Sequence, residues 1–207
     1  MERIVVLLGG EAPEQMERPD SGLIVAADGG GYRHARRWGW EPDLIVGDFD
    51  SVGPEGFPDT VEQRHVPDQF STDFEKILSG LPGLKEARLD VIGGLGGRAD
   101  HQQTNLLIAA AIPSAWTVVL HGEAEQLTRV TDTCPFSASA EAGETISLLP
   151  FCAACGVMAS GLKWRLDSAD MGIGGQLGQS NVALGGPIRI TMESGVLWLW
   201  RATGPQA

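Results

Sequence analysis

The sequence predicts an α/β fold in two parts: an N-terminal, mostly parallel (Rossmann-like) sheet with helices on both faces, then a C-terminal antiparallel β-sandwich. Three observations predict it. Up to residue 120, short apolar runs alternate with helical patterns. Beyond that point helical periodicity fades, and alternating runs separated by glycine appear. Glycine supplies 28 of 207 residues, against an average usage of about 7%, so many positions serve turns and close backbone approaches.

In the first part, near-continuous apolar runs lie between helical segments, which is typical of a parallel sheet covered on both faces. The predicted strands are Ile4–Leu8, Leu23–Ala27, Leu44–Val46, Val61–Val66, Ala87–Ile92 and Thr117–Leu120. The predicted helices are Gly30–Trp38, Thr72–Gly80 and Asp100–Ala111.

In the second part, four alternating runs predict antiparallel strands: "ETISLLPF", "GVMASGLKWRL", "PIRITME" and "GVLWLW". The stretches "DMGIGGQLGQSN" and "ALGG" are rich in glycine, so we predict loops there. The change of pattern near His121–Glu125 predicts two domains, 1–122 and 123–207.

Charge and composition exclude several classes of protein. The net charge is −12 and no basic stripe is visible, so we expect no nucleic-acid partner. Arg33, His34, Arg36 and Arg37 form the densest basic group, which we interpret as the solvated face of one helix. No apolar run approaches the roughly 20 residues that span a membrane. The N-terminus predicts a first strand, not a signal peptide.

The cysteines favour a reducing compartment. There are three of them, an odd count, which indicates a cytoplasmic protein without structural disulfides. Cys152 and Cys155 form C-A-A-C, but no second cysteine pair or histidine pair completes a zinc site. We therefore interpret them as small residues at a strand end.

Acidic side chains follow several predicted parallel strands at the points where those strands end. In open α/β sheets, ligands bind in the crevice outside these carboxyl ends. Each acid alone is equally compatible with a turn or a helix cap, but together they indicate one site. The four segments are "AADGG", "GDFDS", "PDQFSTDFEK" and "GGLGGRAD", which carry Asp28, Asp48, Asp50, Asp68, Asp73 and Asp100.

Asp48 and Asp50 are the most closely spaced of these acids, and they predict a metal site. Clustered carboxylates raise one another's pKa, and few Lys or Arg residues lie nearby in sequence to neutralise them. Mg²⁺ prefers one or two carboxylates together with water and phosphate oxygens. On an extended backbone the D-x-D spacing points both side chains the same way. We therefore expect Asp48 and Asp50 to hold Mg²⁺, which in turn holds a polyphosphate.

The segment "GGLGGRAD" allows two interpretations. Gly94 to Ala99 fits G-x-G-x-x-A between a strand and a helix, the dinucleotide-binding pattern, although it follows a late strand. Alternatively it is a phosphate loop of another kind. In both cases a glycine turn and a helix N-terminus approach phosphate, and Arg98 adds a fork for phosphate oxygens.

Two segments of the second part offer candidate contacts for a small planar ligand. Trp164 could stack on an aromatic ring, preferably a cationic one, and Ser180 with Asn181 lies in a predicted loop. The alternative is core packing for Trp164 and turn chemistry for Ser180 and Asn181.

Taken in order, "ADGG", "PDLIVGDFDS", "DQFSTDFEKIL", "GGLGGRADHQQTNL", "GLKWRL" and "SN" resemble the thiamine pyrophosphokinase (thiamine diphosphokinase) family over most of the chain. The resemblance implies a homodimer that transfers pyrophosphate from ATP to the hydroxyethyl group of thiamine, giving thiamine diphosphate and AMP. It places thiamine between the catalytic domain of one subunit and the sandwich of the other.

The resemblance also implies roles for individual residues. Asp48 and Asp50 would bind Mg²⁺, and Asp28, Asp73 and Asp100 would line the phosphate site. Catalysis would depend on Asp50, Asp73, Asp100 and Arg98. The ATP contacts would be Asp28, Gly29, Gln69, Thr72, Gly94, Gly97 and Arg98, and the thiamine contacts Trp164, Ser180 and Asn181. "ADGGGYRH" lacks the Ala-Asn that often follows ADGG in the family.

Some points stay open at this stage. Either Asp73 or Asp100 could accept the hydroxyl proton. Lys76 could bind phosphate, or could pair with Glu75 or face solvent. Two other functions compete: a pyrophosphokinase for another heterocyclic alcohol such as a pterin, and a non-catalytic nucleotide or dinucleotide sensor.

Overall fold

A computed structural model describes residues 1–54, 56–81 and 83–203. The chain forms two compact units. The N-terminal unit consists of Met1–Ala109 and Leu120–Glu123, and the C-terminal unit of Ala110–Val119 and the described residues from 124 onward. The two units together match the predicted fold class, a mostly parallel sheet with helices and an antiparallel sandwich.

The N-terminal unit is built on five parallel strands in the order β5-β1-β2-β3-β4. These strands are β1 Glu2–Leu7, β2 Leu23–Ala27, β3 Leu44–Gly47, β4 Glu62–His65 and β5 Ala87–Ile92. The helices are α1 Asp28–Trp38, α2 Asp73–Gly80 and α3 Ala99–Ala111, and strand β6 is Thr117–His121. The last residues of α3 and the first of β6 belong to the C-terminal unit.

The central strands form because their side chains are apolar on both faces. Val6, Val25 and Ile45 are fully buried, as expected for a sheet that is covered on both sides. Helix α1 packs on β1, β2 and β3, and it ends at Gly39, whose left-handed φ of 70° is a common helix terminator. Strand β4 differs because it lies at the sheet edge and all four of its residues are exposed.

The C-terminal unit contains two antiparallel sheets that share one apolar core. The first has the order β12-β9-β14-β7 and the second β11-β10-β13-β8. The strands are β7 Glu125–Val130, β8 Phe136–Ala140, β9 Thr145–Pro150, β10 Ala154–Ser160, β11 Leu166–Met171, β12 Gly178–Val182, β13 Gly186–Thr191 and β14 Leu197–Ala202. Ile146 and Leu199 of the first sheet pack in the same cluster as Val157 and Ile190 of the second. This is the predicted sandwich.

Three local predictions in this unit were wrong or incomplete. The strands β7 and β8 were not predicted. "GVMASGLKWRL" is not one strand, because β10 ends before Gly161, whose φ is 78°. "DMGIGGQLGQSN" is not entirely loop, since its last residues form β12, which pairs with β9. Gly178 permits that pairing because a Cβ there would lie 2.9 Å from the Leu148 Cβ.

Among the described residues, no helix combines the length and apolar character that crossing a membrane requires.

Candidate active site

A cavity of about 900 Å³ opens in the N-terminal unit at the carboxyl edge of the parallel sheet. Its walls are the residues that follow β1, β2, β3 and β5, together with the first turns of α2 and α3. Nine of the predicted site residues lie on these walls: Asp28, Asp48, Asp50, Thr72, Asp73, Gly94, Gly97, Arg98 and Asp100. The predicted convergence at one sheet edge is therefore present for five of the six acids, whereas Asp68 does not line the cavity and accepts hydrogen bonds within its own turn.

Three of the acids form a tight cluster. Carboxylate oxygens of Asp28, Asp48 and Asp50 all lie within 4.8 Å of one another. Asp28 opens α1 with an unusual positive φ of 46° and is 3% exposed. Its Oδ2 accepts a 2.8 Å hydrogen bond from the Ser51 hydroxyl, while its buried Oδ1 has no partner among the described residues. A buried carboxylate oxygen without a donor is costly, so this oxygen is suited to bind a cation.

The side chains of Asp48 and Asp50 converge, but not because of the extended backbone that the sequence predicted. Phe49, between the two acids, has a φ of 64°, so the backbone there is a turn and not an extended strand. The Asp50 N–H donates to Asp48 Oδ1 at 3.4 Å. The Phe49 ring packs against Phe57 and His65, and these contacts hold a conformation that a non-glycine residue seldom adopts.

Asp48 and Asp50 have opposite electrostatic environments. The negative charge of Asp48, followed by burial and by the charge of Asp28, raises the pKa of Asp50. A hydrogen bond from Lys76 lowers the pKa of Asp48. The cluster therefore has one well-paired carboxylate and one that is crowded by like charge, which is the condition that a bound cation relieves.

Lys76 pairs with two of the cavity acids. It neither pairs with Glu75 nor faces solvent, the two alternatives that the sequence left open. Its side chain is 3% exposed, and Nζ lies 2.8 Å from Asp48 Oδ2 and 3.1 Å from Asp73 Oδ1. Burial lowers the pKa of Lys76, but the two carboxylate hydrogen bonds outweigh burial and the pKa is raised. Burial is the largest influence on Asp73, whose pKa is raised despite Lys76.

A capping box formed by Thr72 and Glu75 fixes the start of α2. The Thr72 hydroxyl accepts from the Glu75 N–H, and the Thr72 N–H donates to Glu75 Oε2 at 2.9 Å. Gln69 does not line the cavity, but its amide donates to Asp48 Oδ2 at 3.2 Å. These contacts hold the turn before α2 beside the acids.

Glycines permit close backbone approach around the cavity, although the predicted residue Gly29 does not itself line it. A Cβ on Gly10 would overlap the Gly93 carbonyl oxygen, and one on Gly29 would overlap the Ser51 carbonyl oxygen. A Cβ on Gly94 would lie 3.1 Å from Val91 Cγ1. Gly97 has a φ of 67° and open space around it. The loop after β5 thus leaves room for a ligand against its backbone.

Arg98 and Asp100 pair with each other at the start of α3. Arg98 Nη2 lies 2.6 Å from Asp100 Oδ2, and both side chains are mostly exposed. The hydrogen bonds from Arg98 lower the pKa of Asp100 to about 2. Asp100 is therefore a weaker base than Asp73.

Nine cavity residues with polar or charged side chains were not assigned to the site from the sequence. On α3, His101, Gln102 and Asn105 follow Arg98 at helical spacings of three, four and seven, a signal that could have placed them. The Gln102 side chain accepts from the Gly96 N–H at 2.9 Å, and Asn105 donates to the Gly94 carbonyl at 3.1 Å. The remaining six are Glu11, Arg33, Ser51, Ser71, Lys76 and Thr104.

The predicted thiamine residues lie in the C-terminal unit. Trp164 is 54% exposed, with the Lys163 ammonium 4.8 Å from its ring centre. Asn181 is 5% exposed and is committed to the backbone: Oδ1 accepts from the Trp164 N–H, and Nδ2 donates to the Trp164 carbonyl. Ser180 is exposed, with a φ of 57°. Ser180 and Asn181 both lie in β12 and not in the predicted loop. Through its two hydrogen bonds, Asn181 fixes the backbone of Trp164.

Two protein-family models match the sequence. Residues 17–119 match the model described as "Thiamin pyrophosphokinase, catalytic domain", and residues 135–197 match "Thiamin pyrophosphokinase, vitamin B1 binding domain". Thiamine pyrophosphokinase 1 of Oryza sativa subsp. japonica is 30% identical over 207 aligned positions, which cover 85% of this chain and 77% of that protein.

Two solved structures share the fold. Thiamine pyrophosphokinase from Bacillus subtilis has a TM-score of 0.79 at 18% identity, covering 99% of this chain and 100% of that chain. Thiamin pyrophosphokinase from Candida albicans has a TM-score of 0.76 at 16% identity, covering 97% of this chain and 89% of that chain. With the sequence relatives and both family models in agreement, the chain belongs to the thiamine pyrophosphokinase family.

Proposed function

We propose that the chain is a Mg²⁺-dependent thiamine pyrophosphokinase, which transfers pyrophosphate from ATP to the hydroxyethyl group of thiamine and releases AMP. The observation that carries the proposal is the cluster of Asp28, Asp48 and Asp50, whose oxygens lie within 4.8 Å of one another beside glycine turns. Such a site suits a divalent ion together with a polyphosphate. Membership of the family supplies the acceptor, thiamine.

The donor set fits Mg²⁺. It consists of carboxylate oxygens, the buried Oδ1 of Asp28 has no donor among the described residues, and the pKa of Asp50 is raised by its neighbour Asp48. Asp48 and Asp50 would hold the ion, with Asp28 beside them. When bound, Mg²⁺ would neutralise charge on the phosphate oxygens.

The remaining cavity residues would bind and orient ATP. Backbone groups at Gly94 and Gly97 can approach phosphate closely, and Arg98 can offer its guanidinium edge. Thr72 lines the cavity at the helix start, Gln69 contacts Asp48, and Gly29 keeps the first turn of α1 close to Ser51. The cavity position supports an ATP contact for Thr72, whereas Gln69 and Gly29 would act by positioning Asp48 and the start of α1.

The reaction is an in-line displacement at the β-phosphorus. The thiamine hydroxyl oxygen bonds to that phosphorus, the bond to the bridging oxygen of AMP breaks, and the hydroxyl proton passes to a carboxylate. Asp73 is the better acceptor, because burial raises its pKa, whereas Arg98 holds the pKa of Asp100 at about 2. Asp100 would instead keep Arg98 oriented.

Thiamine would contact the C-terminal unit through Trp164 and Ser180. An exposed indole is suited to stack on a planar cation, and Asn181 would act by fixing the Trp164 backbone. We also propose a homodimer, supported by large exposed apolar side chains such as Ile173 and Leu177. The three free cysteines support a reducing, cytoplasmic location.

The test is AMP formation from ATP with thiamine and Mg²⁺ present, and with each omitted in turn. Thiamine diphosphate and AMP are expected in equal amounts, and neither without Mg²⁺. AMP release with a pterin alcohol but not with thiamine would favour a different pyrophosphokinase. Binding of a nicotinamide dinucleotide without Mg²⁺, and no AMP under any condition, would favour a sensor.

A further inference from the structure

The cavity contains more negative than positive charge. Among the described residues on its walls, six are carboxylates (Glu11, Asp28, Asp48, Asp50, Asp73 and Asp100) and three are cations (Arg33, Lys76 and Arg98), which leaves a formal charge of −3. A polyphosphate that enters such a cavity is repelled unless cationic groups are available to it.

Two of the three cations are already engaged by carboxylates. Lys76 contacts Asp48 and Asp73, at 2.8 and 3.1 Å. Arg98 forms two hydrogen bonds with Asp100, at 3.1 and 2.6 Å. A new anion at either side chain must compete with these existing ion pairs.

Arg33 has no such partner. Its side chain is exposed and lines the cavity, with Nη2 3.8 Å from the Cβ position of Gly30 at the first turn of α1. No hydrogen bond, ion pair or ring contact joins it to another residue in the described part of the chain. Its five N–H donors are therefore available to a ligand.

The basic residues next to Arg33 on α1 have structural roles instead. A ring nitrogen of His34 lies 2.8 Å from the Gly10 carbonyl oxygen, and Arg37 donates to the Pro13 carbonyl at 2.6 Å. These contacts tie the loop after β1 to α1. The basic residues of α1 were expected to form one solvated face. Instead, His34 and Arg37 contact the loop after β1, and Arg33 lines the cavity.

We propose that Arg33 binds phosphate oxygens of the nucleotide substrate and supplies a cation that the cavity has not already neutralised. A guanidinium suits this role because its planar fork can donate two hydrogen bonds to one phosphate. The identity of the nucleotide as ATP rests on the proposed function, whereas the availability of the Arg33 donors does not.

The test compares Arg33→Gln with Arg36→Gln, which removes the same charge from the same helix at a residue that does not line the cavity. Binding of Mg-ATP is measured by calorimetry, and KM and kcat are measured for both substrates. Loss of a charge-assisted contact should weaken ATP binding by about 10- to 100-fold. The KM for thiamine should not change, and Arg36→Gln should stay within about twofold of the parent protein.

Two further measurements exclude a general charge effect. The affinity of the parent protein for Mg-ATP should fall more steeply with added KCl than that of Arg33→Gln, because one exposed ionic contact is missing in the variant. Arg33→Lys should restore part of the affinity, since it keeps the charge but not the fork. Thermal unfolding should be unchanged in Arg33→Gln and Arg33→Lys.

Equal weakening by Arg33→Gln and Arg36→Gln, or parent-like ATP binding by Arg33→Gln, would overturn the proposal. If the parent binds Mg-ATP but forms no AMP with thiamine, the proposed function fails while the comparison of variants still decides the role of Arg33. A parent protein that binds no nucleotide would overturn both.

Discussion

The ammonium nitrogen of Lys76 lies 2.8 Å from Oδ2 of Asp48, although 28 positions separate the two residues. This contact changes how the acidic cluster is stabilised. Asp48 and Asp73 share the one positive charge of Lys76, whereas Asp50 is crowded by like charge and Oδ1 of Asp28 has no partner among the described residues. A bound cation is therefore needed mainly at that side of the cluster.

Replacing Lys76 with Met should destabilise the protein at pH 7 by about 1–3 kcal/mol, because two carboxylates lose a buried partner. Lys76 lowers the pKa of Asp48, so this stabilisation is present above the ordinary carboxyl pKa of about 3.9 and is lost as the pH falls through the lower folded value. The difference between parent and variant should therefore shrink below about pH 4. Urea unfolding at a series of pH values measures it. A difference that does not depend on acidity would show that Lys76 acts only by packing.

Asp50→Asn should lower turnover by orders of magnitude and leave the fold intact. Removing one of the crowded charges relieves repulsion, so the melting temperature without metal should equal or exceed that of the parent. Added Mg²⁺ should raise the melting temperature of the parent more than that of the variant.

Asp59→Asn is the matched control, because Asp59 is exposed and does not line the cavity. It should behave like the parent in both assays. Near-normal turnover of Asp50→Asn at saturating Mg²⁺ would contradict the assignment of Asp50 to the metal.

Substitutions of Trp164 and of Asn181 should differ in their effects on thiamine binding and on the free energy of unfolding. Trp164→Ala removes a 54% exposed ring, so the unfolding free energy should change by only about 0.5 kcal/mol, while the KM for thiamine rises and the KM for ATP does not. Asn181→Ala leaves backbone groups of Trp164 without partners and should cost about 1–3 kcal/mol as well as weaken thiamine binding. Unchanged thiamine kinetics in Trp164→Ala would exclude stacking on this ring.

Asp90 should stabilise the N-terminal unit in a pH-dependent way. It is fully buried in β5 and accepts from Arg3, Arg88 and His121. Burial raises the pKa of Asp90, but the hydrogen bonds from His121 and Arg88 outweigh it and the pKa is lowered. Because the folded pKa lies below the unfolded value of about 3.9, the stabilisation is complete above that pH and is lost as the pH falls.

Asp90→Asn should therefore destabilise the protein by about 3 kcal/mol at neutral pH, and by less below about pH 4, where Asp90 takes up a proton in the unfolded parent but not yet in the folded one. Chemical unfolding at pH 7 and at acidic pH tests this, with Asp59→Asn as the exposed control. Equal stability of Asp90→Asn and the parent at pH 7 would show that the buried network contributes nothing.

Local sequence patterns were sufficient to place most elements of the N-terminal unit. All six strands predicted up to residue 120 and all three helices lie within one or two residues of those observed. Patterns were less informative in the sandwich. Gly178 and Ser180 lie in β12 because β9 offers a pairing edge and the register shifts between Gly178 and Asn181, which no local propensity indicates.

The sequence by itself determined that five aspartates and the glycines after β5 would meet. They follow successive strands, and parallel pairing puts all the carboxyl ends at one edge, so position along the chain was enough to predict their proximity. Only the tertiary structure decided which charges pair: that Lys76 contacts Asp48, that Arg98 is occupied by Asp100, and that Arg33 is available. The physical reason is that ion pairing depends on distances of a few ångströms between side chains of different elements. Those distances are set by packing and not by spacing along the chain.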